Sequence, residues 1–99
     1  MQKFFVYIIF SESSNIHYLG HTNNLEDRII RHNQGRNKFT KGKGPWKLIS
    51  YAICDSKSAA YRLEMKLKSF KDPEYAIKYL SNFSSEHSDI IGGVRGSNP

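Results

Sequence analysis

The segment from Phe4 to Phe10 consists entirely of aromatic and β-branched residues, in the order FFVYIIF. Because successive side chains of a strand point to opposite faces, a strand that is apolar at every position needs cover on both faces. The small polar residues of Ser11–Asn15 predict a turn, and the pattern of His17–His21 predicts a returning strand. We therefore expect an antiparallel hairpin whose first strand is central in a sheet or covered.

Each strand of this hairpin carries one tyrosine, Tyr7 on the first and Tyr18 on the second. Whether the two share a face depends on the register of the strand pairing, which the sequence leaves open. Gly20 lies on the same face as Tyr18, and glycine weakens a strand. A close approach by another backbone or by a ligand is the reason we expect for this glycine.

Capping residues, glycines and prolines divide the rest of the chain into three helices and one strand. In chain order these are a helix capped by Asn23 or Asn24 and stopped at Gly35, a strand over residues 48–54, a helix capped by Asp55 or Ser56 that runs to about Lys71, and a short helix from Asp72-Pro73-Glu74 to Asn82 or Phe83.

This order of elements predicts an α+β fold of the α/β-sandwich type. The sheet would be small, three-stranded and mixed or antiparallel, made of the hairpin and the third strand and flanked by helices. The length of 99 residues allows one core. We expect a single domain over residues 1–83 and, because the remainder is rich in glycine and serine, a flexible C-terminal tail over residues 84–99.

The net charge of +6 is concentrated in residues 25–71, which favours a polyanionic partner such as nucleic acid. An ordinary solvated basic surface explains the charge as well. Within the basic loop at 35–47, lysines stand beside Phe39 and Trp46, a combination that suits a nucleic-acid backbone with occasional stacking; Trp46 could equally pack at the edge of the core. The candidate nucleic-acid-binding residues are Arg31, Arg36, Lys38, Lys41, Lys43 and Lys47.

Other classes of protein are disfavoured by the sequence. No apolar run approaches the roughly 20 residues of a membrane helix, and the N-terminus lacks the features of a secretory signal. The single cysteine, Cys54, lies in an apolar run, which predicts a buried inert thiol in a reducing compartment. The four histidines lack zinc-ligand spacing. We expect a cytoplasmic protein.

The residues within these elements resemble the GIY-YIG nuclease superfamily, and most closely its small stand-alone single-domain members. The resemblance covers Lys3 to about Lys71. Its motifs are Val6-Tyr7-Ile8, Tyr18-Leu19-Gly20, Asn24-Leu25-Glu26-Asp27-Arg28, His32-Asn33-Gln34-Gly35, the loop from Phe39-Thr40-Lys41 to Pro45-Trp46-Lys47, and Glu64.

The resemblance implies a role for five residues. Tyr7 and Tyr18 would be the two motif tyrosines, one of which assists activation of the attacking water or is itself the base. Arg28 would hold the scissile phosphate, and His32 would be the imidazole partner of the tyrosines. Glu64 would be the sole carboxylate ligand of one Mg²⁺ or Mn²⁺ ion.

Three positions stand apart from the usual motif. Phe5 replaces the glycine that opens the first motif, and His21 follows Gly20 where many relatives have a lysine or another polar residue. Asn82 is a candidate for a further polar residue that assists in some relatives. On its helix Glu64 lies at a basic, partly exposed edge, where Lys68 could pair with it.

The expected function is metal-dependent hydrolysis of DNA phosphodiester bonds, structure-directed or weakly sequence-specific, in DNA repair, recombination or processing. The alternative is a module that binds nucleic acid through the same basic face without cutting it, and a third is a subunit whose specificity comes from a protein partner. We expect nucleic acid, DNA before RNA, as the ligand of a monomer or weak dimer that does not associate with membranes.

Overall fold

The structure is a computed structural model that describes the backbone of residues 3–92 and the side chains of residues 3–83. Three strands and three helices follow one another along the chain, which confirms the predicted α+β class. They are β1 (Phe4–Ser11), β2 (Ile16–Thr22), α1 (Leu25–Asn33), β3 (Trp46–Cys54), α2 (Lys57–Ser69) and α3 (Pro73–Gly92).

The sheet has the order β2-β1-β3, and both pairings are antiparallel. The apolar strand β1 is therefore central, which agrees with the prediction of a central or covered strand, and Val6 to Ile9 are almost completely buried. In the β1–β2 register Tyr7 lies opposite Gly20 and Ile9 lies opposite Tyr18. Directly opposed residues point to the same face, so the two tyrosines share one face of the sheet.

Helices cover the two faces of the sheet unequally. On one face, Val6 and Ile8 pack against the apolar stripes of α2 and α3, including Leu67 and Leu80. On the other, the cluster of Tyr7, Ile9 and Trp46 is covered by α1 through Leu25 and Ile29. Burial of each large apolar side chain is worth about 1.5–3 kcal/mol, so these contacts fix the helices that carry the site.

Side-chain caps resolve the alternatives that the sequence left open. Asn24, rather than Asn23, caps α1, because its Oδ1 accepts a hydrogen bond from the amide of Asp27 at 3.1 Å. Ser56 caps α2 by accepting from the amide of Ala59 at 3.1 Å.

The start of β3 and the end of α3 differ from the prediction. β3 begins at Trp46 rather than at residue 48, because the amide group of Asn33 bonds both main-chain groups of Trp46: the Trp46 amide donates to Asn33 Oδ1 at 2.6 Å, and Asn33 Nδ2 donates to the Trp46 carbonyl at 3.3 Å. Trp46 is only 4% exposed, so it packs in the core and is not available for stacking on nucleic acid.

The predicted end of α3 at Asn82 or Phe83 is wrong, since the helix continues to Gly92. No proline or glycine occurs between Pro73 and Gly92 to stop it. The proposed tail at 84–99 thus begins as helical backbone, and its residues 93–99 lie outside the described part of the chain. Within the described residues, no helix has the length and apolarity that a membrane span needs.

Candidate active site

Four of the five predicted catalytic side chains line one cleft, at the end of β2 that leads into α1. Tyr7 comes from β1, Tyr18 from β2, Arg28 from α1 and Glu64 from α2. The cleft has a volume of about 420 Å³. Because α1 and α2 cover opposite faces and β2 is an edge strand, side chains reach the cleft from both faces of the sheet.

Gly20 makes room for the ring of Tyr7. A Cβ atom on Gly20 would lie 2.7 Å from Tyr7 Oη and 2.9 Å from Tyr7 Cζ. The close approach expected at this glycine is therefore made by a side chain of the neighbouring strand, and not by a backbone or a ligand. Any larger residue on β2 here would force the Tyr7 phenol to move.

A hydrogen-bonded chain runs from the Tyr7 phenol into the protein. Tyr7 Oη and His32 Nε2 are joined at 2.8 Å, and His32 Nδ1 and Thr40 Oγ1 at 2.7 Å. Trp46 Nε1 donates to the Thr40 carbonyl at 3.2 Å. His32 is 1% exposed and lies behind Tyr7, outside the cleft lining. Its Nε2 therefore contacts the phenol from the side away from the cleft.

Burial sets the protonation states of this pair. It raises the pKa of Tyr7 well above the usual value for a phenol; Tyr18 adds to the rise and Arg28 opposes it. Burial, followed by the positive charge of Arg28, lowers the pKa of His32. At neutral pH the bond between Tyr7 and His32 therefore joins two uncharged groups.

Glu64 is held by a cationic side chain and by an imidazole. His21 Nδ1 donates to Oε1 at 2.5 Å, and Lys68 donates to Oε2 at 2.6 Å. The pairing with Lys68 agrees with the helical spacing, but Glu64 is only 8% exposed, less than its position on a helix edge suggests. The reason is tertiary: His21 of β2 lies against it.

The donor set at Glu64 is compatible with a hard divalent cation. Mg²⁺ keeps several of its waters and binds through one or two carboxylates, so a single glutamate at the wall of an open cleft is chemically sufficient. Among the described residues no group of three or more His, Cys, Asp or Glu side chains forms a metal cage. Glu64 is thus the carboxylate of the cleft that would hold such an ion.

The six predicted nucleic-acid-binding residues lie outside the cleft lining. Arg31 is exposed on α1 and pairs with Asp27 at 3.2 Å. The other five lie on the loop between α1 and β3 or at the start of β3, and four of them are exposed. Their partners are few: Arg36 donates to Gln34 at 3.2 Å, Lys43 donates to the Phe39 carbonyl at 3.2 Å, and Lys47 lies 3.9 Å from Glu12.

Three residues that sequence reasoning did not assign to the site belong to it. Lys57 lines the cleft, and its spacing of seven residues from Glu64, two turns of one helix face, was a usable signal. His21 lines it as well and follows directly after the second tyrosine motif. Thr40 lies in one of the motifs of the resemblance, but its contact with His32 arises only when the loop folds back.

Known proteins of similar sequence include the UPF0213 protein SH2523 of Staphylococcus haemolyticus, 39% identical over 71 residues that span 71% of this chain and 85% of the relative. The UPF0213 protein CPE1444 of Clostridium perfringens is 40% identical over 65 residues, 65% of this chain and 69% of the relative. A solution NMR structure of the UPF0213 protein BH0048 from Bacillus halodurans is 26% identical, covers 89% of this chain and 93% of its own, and gives a TM-score of 0.49.

The sequence profile of the GIY-YIG catalytic domain matches residues 3–78, which includes every strand, α1, α2 and the start of α3. This range contains all the side chains that line the cleft. The chain therefore belongs to the GIY-YIG family, whose catalytic domain is of the nuclease type.

Proposed function

We propose that this protein is a metal-dependent endonuclease that hydrolyses DNA phosphodiester bonds in the cleft between α1 and α2. The observation that carries the proposal is the meeting of two phenols, a guanidinium, an ammonium and a carboxylate in one cleft (Tyr7, Tyr18, Arg28, Lys57 and Glu64). Phosphodiester hydrolysis needs an oriented water, a proton acceptor, and positive charge on the phosphoryl oxygens.

Arg28 and Lys57 supply the fixed positive charge. They enter the cleft from helices on opposite faces of the sheet. A guanidinium binds two phosphoryl oxygens in a fork, whereas an ammonium acts as a point charge. We assign the scissile phosphate to Arg28 and a neighbouring phosphate to Lys57.

Glu64 would hold one Mg²⁺ or Mn²⁺ ion. When bound, such an ion polarises the phosphoryl group and makes a coordinated water more acidic. The chain's own part is to supply an almost buried carboxylate whose two oxygens accept hydrogen bonds from His21 and Lys68.

The two tyrosines differ in exposure, and we assign them different roles. Tyr7 is 1% exposed, uncharged at neutral pH and bonded to His32, so its role is to fix the inner wall of the cleft. Tyr18 is half-buried in the same wall, with its ring centroid 6.4 Å from that of Tyr7. It is the phenol that the attacking water can reach, and we assign it the contact with that water.

A module that binds nucleic acid without cutting it is the second candidate. One observation favours it: both carboxylate oxygens of Glu64 have hydrogen-bond partners within the chain, so the side chain has a structural role that needs no ion. The same basic residues would then bind phosphates, with Arg28 as an anchor.

A cleavage assay separates the two. Labelled single-stranded, duplex, nicked, flapped and branched DNA, with RNA equivalents, is incubated at low salt with Mg²⁺, with Mn²⁺ or with EDTA. The nuclease proposal predicts cutting that needs the metal, is lost in Glu64→Gln and is retained in Glu74→Gln, a matched change on α3 away from the cleft. Binding without cutting by the wild type would support the non-catalytic module.

The panel also tests how the target is chosen. A domain of this size has little surface for reading bases, so we propose that structure, more than sequence, selects the site, as suits repair, recombination or processing of DNA. Equal cutting of unrelated sequences with the same structure would support this, and cutting confined to one sequence would refute it.

A further inference from the structure

Phe39 is an exposed aromatic side chain beside the cleft. At 70% exposure it is the most exposed large apolar side chain in the described part of the chain. Its ring centroid lies 5.6 Å from that of Tyr18, which lines the cleft. Single exposed apolar residues are common on protein surfaces. The exposure of Phe39 therefore indicates a binding function only in combination with the contacts that hold the ring and its position beside the cleft.

The backbone around Phe39 is tied to the site. Asn37 Oδ1 accepts hydrogen bonds from the amides of Phe39 at 2.9 Å and Thr40 at 3.3 Å. The next side chain, Thr40, is 1% exposed and bonded to His32, the partner of Tyr7. One residue of this turn is therefore anchored behind the catalytic tyrosines, while the adjacent ring stays in solvent next to Tyr18.

Positive charge surrounds the exposed ring. Lys43 donates to the Phe39 carbonyl at 3.2 Å, and its Nζ lies 5.9 Å from the ring centroid. Lys38 and Lys41, both exposed, lie on either side of Phe39 in the same loop. Aromatic rings set among ammonium groups are the surfaces on which proteins bind single-stranded nucleic acid, through base stacking and phosphate neutralisation.

We propose that Phe39 stacks on an unpaired nucleobase next to the phosphate bound in the cleft. In a duplex the base faces are covered by their neighbours and only edges show in the grooves, whereas an unpaired base can offer a face. The substrate class is then nucleic acid with at least one unpaired nucleotide at the cutting site, such as a bulge, a flap or a single strand. This inference rests on the proposed function, because it places the stacked base beside a scissile phosphate.

A binding cycle tests the stack without catalysis. Fluorescence anisotropy in EDTA gives the Kd of wild type and of Phe39→Ala for three duplexes: one with a single bulged base, one with an abasic bulge, and one fully paired. The wild type should bind the bulged base roughly 5- to 160-fold more tightly than the abasic bulge, the range of one base–aromatic stack. Phe39→Ala should bind these two equally.

Three controls sharpen the result. Phe39→Trp should restore the preference for the bulged base. Tyr75→Ala, at an exposed aromatic residue of α3, should keep it. Lys41→Gln should weaken binding to all three duplexes by a similar factor, because it removes charge and leaves the ring. The bulged duplexes are made in DNA and RNA to show which backbone is preferred.

The outcomes separate this inference from the proposed function. If the preference depends on Phe39 but no substrate is cut, the stack is supported and the nuclease proposal fails. If bulged and paired DNA are cut equally, and Phe39→Ala weakens binding to every duplex by the same factor in Kd, the stack is refuted and the nuclease proposal stands.

Discussion

At the scale of single residues, the site depends on a glycine that is hard to interpret from sequence. Gly20 would ordinarily weaken β2, and replacing a strand glycine by alanine ordinarily gains about 0.5–1 kcal/mol. Here the added Cβ would lie 2.7 Å from Tyr7 Oη. Sequence could show that the glycine was unusual, but only the register shows that the Tyr7 ring is the reason for it.

Gly20→Ala should therefore lower stability, whereas the same replacement at a typical strand glycine raises it. We expect a loss of about 1–3 kcal/mol in the free energy of unfolding, as for other overpacked sites, together with a loss of cleavage, because the phenol must move. Urea denaturation and a cleavage assay measure the two effects. An alanine variant at least as stable as the wild type and fully active would contradict this interpretation.

The lowered pKa of His32 predicts how stability depends on pH. Since the folded pKa lies below the unfolded value of about 6.5, the unfolded chain binds the extra proton first as the pH falls. His32 thus contributes stability that is present above pH 6.5 and lost below it, by at most about 1.4 kcal/mol per pH unit.

The check is the difference between wild type and His32→Gln in urea denaturation from pH 7.5 to pH 5. The variant should be less stable at neutral pH, because the bonds to Tyr7 and Thr40 are disturbed, and its stability should fall less steeply below pH 6.5. Parallel curves for the two proteins would show that His32 is not the group responsible.

At the scale of elements, the sequence predicted most of the fold. The composition of β1 indicated a strand that is central or covered, and residues such as Ser56 and Pro73 marked where helices begin. The contacts that sequence could not show are non-local. The start of β3 depends on the amide of Asn33, thirteen residues before Trp46 in the chain, and the burial of Glu64 on α2 depends on His21 of β2.

The cap of α1 is a test at this scale, because two adjacent asparagines compete for the role. Asn24 accepts from the Asp27 amide, so Asn24→Ala should cost about 1 kcal/mol, within the 0.5–2 kcal/mol range of capping residues. Asn23→Ala is the matched control and should cost much less. Urea denaturation of the two variants decides; a larger loss in Asn23→Ala would place the cap one residue earlier.

At the scale of the whole molecule, the candidate site is assembled from β1, β2, α1 and α2 and so appears in no single stretch of sequence. Periodicity and capping alone could place each tyrosine and arginine on its element, but not in one cleft. The resemblance to a family identified the five candidate catalytic residues. The sheet order β2-β1-β3, with helices on both faces, brings four of them together in the cleft.

We propose that the side chains of this cleft, Arg28 and Glu64 among them, act as one catalytic unit. The most direct test is the single-turnover rate of cleavage of one unpaired-nucleotide substrate by wild type, Arg28→Gln, Glu64→Gln and the double variant, each checked for folding by circular dichroism. Each single change should slow cleavage at least roughly 100-fold. When two residues act as one unit, removing either one already removes most of the rate that the other supplies. The cleavage rate of the double variant should therefore lie within about tenfold of the rate of the slower single variant. Either single variant cutting at the wild-type rate, or a double loss equal to the product of the two single losses, would contradict the account.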